Sequence, residues 1–182
     1  MLGRQHRCLR GTGVSPDIEL GANDMVRTVG ADSGEIKLIA DVEKFGWHCV
    51  NILAEGEEPP YSFTVGLFHT YNYPELIIFG LPDNVAHQIL GIAADALKNG
   101  APIDLSCSSE ELLEGYACCF AEVPVNQYRE NVGFCRWFYE GDAFPLYQIV
   151  WPSREGYFPW HPDAATSFRS AQPVLGVSNG VT

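Results

Sequence analysis

The stretch Tyr61–Leu81, YSFTVGLFHTYNYPELIIFGL, constrains the fold more than any other part of the chain. Its apolar and β-branched residues form two runs, Tyr61–Phe68 and Glu75–Leu81, parted by a polar, aromatic loop that carries His69. The second run is apolar almost throughout, the pattern of a central strand covered on both faces. Gly66, inside the first run, marks a bulge or a close approach by another backbone or a ligand. Two strands alone do not make a stable unit, so the flanking segments must supply more sheet and its cover.

Upstream, Asp32 and Glu35 have capping-box spacing, and Ile36, Ile39 and Val42 follow at helical intervals with Phe45 closing the stripe. Gly46 is a natural left-handed stop. Trp47–Ala54 then reads as a strand with Trp47, Cys49, Asn51 and Leu53 on one face and His48, Val50 and Ile52 on the other. The prolines of EGEEPP (Glu55–Pro60) deny a strand its donors and make that run a turn.

Downstream, Asp83 is the expected N-cap of a helix whose stripe is Ala86, Ile89, Leu90, Ala93, Ala96 and Leu97, ended by Gly100. Asp104–Glu114 is polar and reads as irregular or a short helical turn. Gly115–Val123 reads as a fourth strand and Phe144–Pro152 as a fifth. Between them, Asn126–Glu140 reads as a second covering helix, weakened at Gly133. This order predicts an α+β domain: a mainly antiparallel sheet of about five strands with two or three covering helices. Residues 32–163 form that single domain. Residues 1–31 are expected to be a flexible leader and residues 164–182 a fraying tail.

Charge narrows the partners. The net charge is −12, and residues 1–30 hold four of the 11 basic groups, so the rest of the chain is more acidic still. Such a body repels phosphate backbones, which argues against nucleic acid. No apolar run reaches the roughly 20 residues of a membrane helix. No apolar segment follows Arg4, Arg7 and Arg10, as a secretory signal requires. The six cysteines, Cys8, Cys49, Cys107, Cys118, Cys119 and Cys135, lack zinc-finger spacing and read as reduced thiols of a cytoplasmic protein without a structural metal. The residues leave the oligomeric state open, a homodimer included.

Five ordered motifs carry a family resemblance: GWHCV (Gly46–Val50), YSFTVGL-x-HT (Tyr61–Thr70), PELIIFGLP (Pro74–Pro82), LLEGY (Leu112–Tyr116) and FPLYQIVWP…G-x-FPW (Phe144–Trp160). Together, over roughly residues 34–161, they resemble the DUF4262 family. That resemblance implies a small cytoplasmic bacterial domain and brings no catalytic assignment or cofactor. In addition, TVGL followed by PELIIFGLP and a helix is similar to the opening of split-barrel flavin reductases and pyridoxamine-phosphate-oxidase-like proteins. There the corresponding strands and loop cradle a flavin phosphate, which implies a flavin-binding oxidoreductase with Ser62, Thr64 and Thr70 as the available hydroxyls. No Lys or Arg stands between Lys44 and Lys98 to assist them.

Candidate chemistry centres on His69 and Glu75, at facing ends of the two runs. A carboxylate orienting an imidazole makes a general base near neutral pH; a plain hydrogen bond tying down a loop is the structural alternative. An aromatic segment, Trp137–Trp160, offers the wall of a small-molecule pocket, with Arg136 and Arg154 to meet an anionic group. The ligand-binding set is then Tyr61, Ser62, Thr64, Arg136, Trp137, Gln148, Trp151, Arg154 and Trp160, with His69 and Glu75 catalytic. His48 and Cys49 invite a nucleophile reading, but adjacent strand residues point to opposite faces. His87 reads as a boundary residue of its helix. The remaining alternative is a non-catalytic module whose acidic surface meets a basic partner.

Overall fold

The computed structural model describes residues 25–178. The Asp32 half of the predicted capping box forms, with Oδ1 accepting the Gly34 and Glu35 N–H at 2.8 and 2.9 Å, while Glu35 Oε2 reaches back one residue further to accept the Ala31 N–H. It opens α1 (Ser33–Phe45), which Gly46 closes at φ 87°. Caps of this kind contribute about 1 kcal/mol. Strand β1 (His48–Ile52) then pairs antiparallel with β2 (Tyr61–Val65), and β2 with β3 (Glu75–Phe79).

Between β2 and β3 the structure departs from the sequence reading. The first run stops being a strand at Val65. Gly66, at φ 106°, turns the chain into a one-turn helix, α2 (Leu67–Tyr71), which carries His69. A Cβ on Gly66 would lie 2.8 Å from the Val42 side chain of α1. The expected close approach is therefore to the protein's own helix, and only glycine combines that contact with that φ.

Helix α3 (Asp83–Lys98) follows β3, with Pro82 in place of Asp83 as its first cap residue. The stretch expected to be irregular contains a short strand, β4 (Ser109–Leu113), in broken antiparallel register with β5 (Tyr116–Glu122). Its alternation is faint because only Ser109 and Leu112 of its five residues are buried. The helix expected over Asn126–Glu140 is divided into a 3₁₀ turn (Val125–Gln127), α4 (Tyr128–Asn131) and α5 (Gly133–Phe138), and Val132 lies outside helical geometry at φ −131°. Strand β6 (Leu146–Val150) then runs parallel to β3 and antiparallel to β5. The segment expected to fray forms α6 (Thr166–Ala171) and a two-residue strand, β7 (Val177–Ser178), on β5. Of the expected leader, residues 1–24 lie outside the described residues; Val26 packs on the core, and the Arg27 N–H donates to the Phe138 carbonyl at 2.9 Å.

The sheet order is β1-β2-β3-β6-β5-β4, with β7 also on β5, and all its pairings but β3–β6 are antiparallel. One face packs against α1, α4 and α5 through Leu38, Val42, Phe63, Ile77 and Phe138, the other against α3 through Leu76, Ile78, Ile89, Leu90 and Phe120. Each fully buried apolar side chain contributes about 1.5–3 kcal/mol. This is an α+β fold with an open, mixed, mostly antiparallel sheet. The split-barrel resemblance finds no support in it, since the sheet does not close. No helix among the described residues is long and apolar enough to cross a membrane.

Candidate functional site

Glu75 and His69 are not brought together as a side-chain pair. Glu75 begins β3 completely buried, and four donors converge on its carboxylate. The Thr64 hydroxyl reaches Oε2 at 2.5 Å; the Gly66 and Phe68 N–H groups reach Oε1 at 2.8 and 3.1 Å, and the Tyr139 hydroxyl donates to the same oxygen. The Tyr139 oxygen in turn accepts the His69 N–H at 3.2 Å. Glu75 therefore caps the start of α2 from the next strand, supplying the acceptor that Gly66 lacks. Burial pushes its carboxyl above the ordinary range, and the hydrogen bonds oppose that push. The His69 ring lies edge-on to Phe138, in a surface pocket of about 290 Å³ that also holds Arg27 and Glu43.

The aromatic set is likewise dispersed. Tyr61 stacks on Phe79, and the Ser62 hydroxyl donates to Asn51 at 2.7 Å. Gln148 is fully buried in β6, donating to the Pro173 carbonyl at 2.8 Å and accepting the Leu175 N–H at 2.9 Å. Trp151 donates through Nε1 to the Phe79 carbonyl, while its backbone exchanges two hydrogen bonds with the Gln172 amide. Gln148, expected to meet a ligand, thus holds the protein's own C-terminal segment. Arg136 pairs with Asp142, Trp137 lies under the Arg27 guanidinium, and Arg154 sits exposed in a turn. Trp160 stacks on Phe158 beside a groove of about 480 Å³ that borders Arg169 and Pro173. Two of the three hydroxyls proposed for a flavin phosphate, Ser62 and Thr64, are buried and committed inside the sheet, while Thr70 is exposed on α2.

The imidazole–carboxylate arrangement sought at His69 occurs instead at His48. Helix α1 delivers Asp41 one turn before its Gly46 stop, and the reversal there returns the chain so that His48 Nδ1 lies 2.7 Å from Asp41 Oδ2. Burial alone would raise Asp41, but the hydrogen bonds and charges of Lys37 and His48 outweigh it and hold the carboxyl below its usual value. Asp41 is accordingly an ionised, acceptor-only group, and Nδ1 must be the donor. Burial lowers His48 from 6.5, aided by Lys37 and His87 and opposed by Asp41. A neutral ring with its proton fixed on Nδ1 leaves Nε2 as the basic nitrogen.

His48 lines a cleft of about 410 Å³ with Lys37, Asp41 and Phe45 from α1, Trp47 and Cys49 beside it, and His87, Asp95 and Lys98 from α3. Trp47 stacks on His87 with ring centres 5.7 Å apart. Cys49 is no activated nucleophile, since burial pushes its thiol up to about 11 and its Sγ faces the Asn51 side chain. No cluster of three or more metal-ligating side chains occurs among the described residues. Asp41 escaped the sequence reading because it lies on the polar flank of an amphipathic helix, where an acid ordinarily means solvation. The available signal was helix–Gly–strand geometry: a Gly46 reversal sets the last turn of α1 beside the first residues of β1.

An α+β domain with an open mixed sheet, and an imidazole–carboxylate pair in a cleft at the sheet's edge, is the class that fold and site define. Within that class the chain belongs to the DUF4262 family, described as a domain of unknown function, whose model matches residues 41–165. No curated protein and no solved structure matches the chain.

Proposed function

We propose that this protein binds a small molecule in the cleft between α1, β1 and α3 and that His48 moves a proton on it. The observation that carries the reading is the 2.7 Å contact between Asp41 Oδ2 and His48 Nδ1. An ionised carboxylate that fixes the tautomer of a neutral imidazole is the arrangement a general base requires. The stacked Trp47–His87 pair gives the cleft an apolar wall for a planar group, and Lys98 offers a cation at its rim. The five free cysteines among the described residues suit a reducing compartment, and we place the protein in the cytoplasm.

Native mass spectrometry of the freshly purified full chain tests the reading. The expected result is a retained small molecule that is lost in both His48→Ala and Asp41→Asn while thermal unfolding stays close to that of the parent. A chain carrying nothing, or a His48→Ala variant that retains the molecule undiminished, overturns it.

A further inference from the structure

Four charged side chains line the cleft: Lys37 and Asp41 from α1, and Asp95 and Lys98 from the last turns of α3. Lys37 and Asp41 neutralise each other, and Asp41 also holds His48. Asp95 and Lys98 are exposed, and neither makes an ion pair or a side-chain hydrogen bond among the described residues. They do not pair with each other, although side chains three residues apart on a helix are neighbours. The cleft thus presents one open cation and one open anion side by side.

That pattern selects among ligands. A lone carboxylate gains from Lys98 and loses to Asp95, on a chain whose net charge is −12. A lone ammonium gains from Asp95 and loses to Lys98. A molecule carrying both groups close together satisfies both charges and adds no net charge. The aromatic part of the cleft lies one helical turn away. Half-buried Trp47 stacks on His87, and its Cζ2 lies 4.0 Å from where a Cβ on Gly91 would sit. Gly91 precedes Asp95 by four residues, about 6 Å along α3. This spacing is comparable to the reach from a planar side chain to the charged groups of an α-amino acid.

We propose that the small molecule of this cleft is an α-amino acid with a planar aromatic side chain, its ring on Trp47, its carboxylate on Lys98 and its ammonium on Asp95. The inference rests on the reading of the cleft as the functional site and narrows it to a substrate class. Asp95 and Lys98 are then the residues that set specificity.

Calorimetric titration of the full chain with two probe series tests this: L-tryptophan, tryptamine and indolepropionate, and L-phenylalanine, phenethylamine and phenylpropionate. Within each series the ring is constant and only the charged groups change. At least one amino acid should bind, with its amine and its acid roughly tenfold or more weaker, the loss expected of one charge-assisted hydrogen bond. Lys98→Met should weaken the amino acid by a similar factor without weakening the amine. Asp95→Asn should do the same without weakening the acid. Both positions are exposed, so thermal unfolding should stay where it is. An amine or acid that binds as tightly as its amino acid, or an amino acid indifferent to both substitutions, overturns the proposal. Failure of both amino acids to bind at millimolar concentration overturns it too. If native mass spectrometry then still finds a molecule that His48→Ala loses, the substrate class falls and the Asp41–His48 site stands. A chain that is purified empty and binds neither amino acid rejects both.

Discussion

Thr64 and Glu75 face each other from β2 and β3 with the hydroxyl 2.5 Å from Oε2, and the Leu76 N–H donates to that same hydroxyl at 2.9 Å. Tyr139 repeats the arrangement, accepting from the His69 N–H and donating to Oε1. Two backbone amides thus act on the carboxylate through hydroxyls, and two more, of Gly66 and Phe68, act directly. The result is a core site lined with donors and no cation, built to hold one acceptor. Glu75→Ala should cost about 3–5 kcal/mol, because it strands these donors without water. Glu75→Gln keeps an oxygen for the three donors on Oε1 and should cost about 1–3 kcal/mol. Urea unfolding of the two variants checks the ranking; equal losses would deny the donor site its part.

The same carboxyl sets a pH dependence. Its folded value is raised above 4.5, so its contribution to stability is fully present below that value and is lost as pH rises through the folded value. Glu75→Gln cannot titrate, and its deficit against the parent should shrink as pH climbs above about 4.5. Unfolding free energies of parent and variant, compared from pH 4.5 to 8, check the sign; a deficit that grows with pH would show a carboxyl held below its ordinary value.

His48 should titrate below 6.5 in an NMR titration. Burial lowers it first, and Asp41 works against burial, so Asp41→Asn should move the midpoint lower still. Lys37→Met removes a repelling charge and also frees Asp41, so it should move the midpoint up. Because the folded value is depressed, the neutral ring's contribution to stability is present above 6.5 and fades as pH falls through the folded value. An Asp41→Asn variant with a raised His48 midpoint would contradict the assigned pairing.

Cys49 should resist alkylation at neutral pH despite lining the cleft, since a thiol pushed up to about 11 carries almost no thiolate there. His48→Ala should leave its rate unchanged, because the two side chains leave the strand on opposite faces. Mass mapping after timed iodoacetamide exposure reads this out. Rapid labelling of Cys49 that depends on His48 would restore the nucleophile reading.

What was legible in the sequence follows the reach of each signal. The Asp32 cap, the Gly46 stop and the facing of Trp47 and Cys49 against Val50 are set by neighbours within four residues, and each is found as read. The sheet was visible wherever apolar residues dominate, as in Glu75–Phe79, and invisible in Ser109–Leu113, where the edge needs few. One backbone angle moves His69 off the strand: Gly66 stands out in the sequence, but alternation cannot tell a bulge from a left-handed turn into a helix. Glu75 stands out in the sequence as a polar residue heading an apolar strand. Its partners Thr64, Tyr139 and the α2 amides come from three separate segments, and no local pattern joins them. The C-terminal segment was missed because amides bind it, and Gln148 and Gln172 look alike whether they hold a ligand or a backbone.

That segment supplies the last test. Gly80 lies so close to α6 that a Cβ there would sit 2.3 Å from the Ala171 carbonyl oxygen, and Gln148 is sealed beneath Pro173 and Leu175. Truncation after Asp163 would leave the Gln148 amide and the Trp151 backbone without their partners, at about 1–3 kcal/mol for each buried group left unpaired. It would also uncover Trp151, whose ring packs edge-on against Phe168 at 5.1 Å. The shortened chain should therefore unfold at distinctly lower urea with a smaller slope, reflecting less surface to expose. Gln148→Leu in the full chain should destabilise by about 1–3 kcal/mol, through the stranded Leu175 N–H and Pro173 carbonyl, without changing that slope. Truncation that left the midpoint where it was would show that α6 and the residues after it add nothing to the fold.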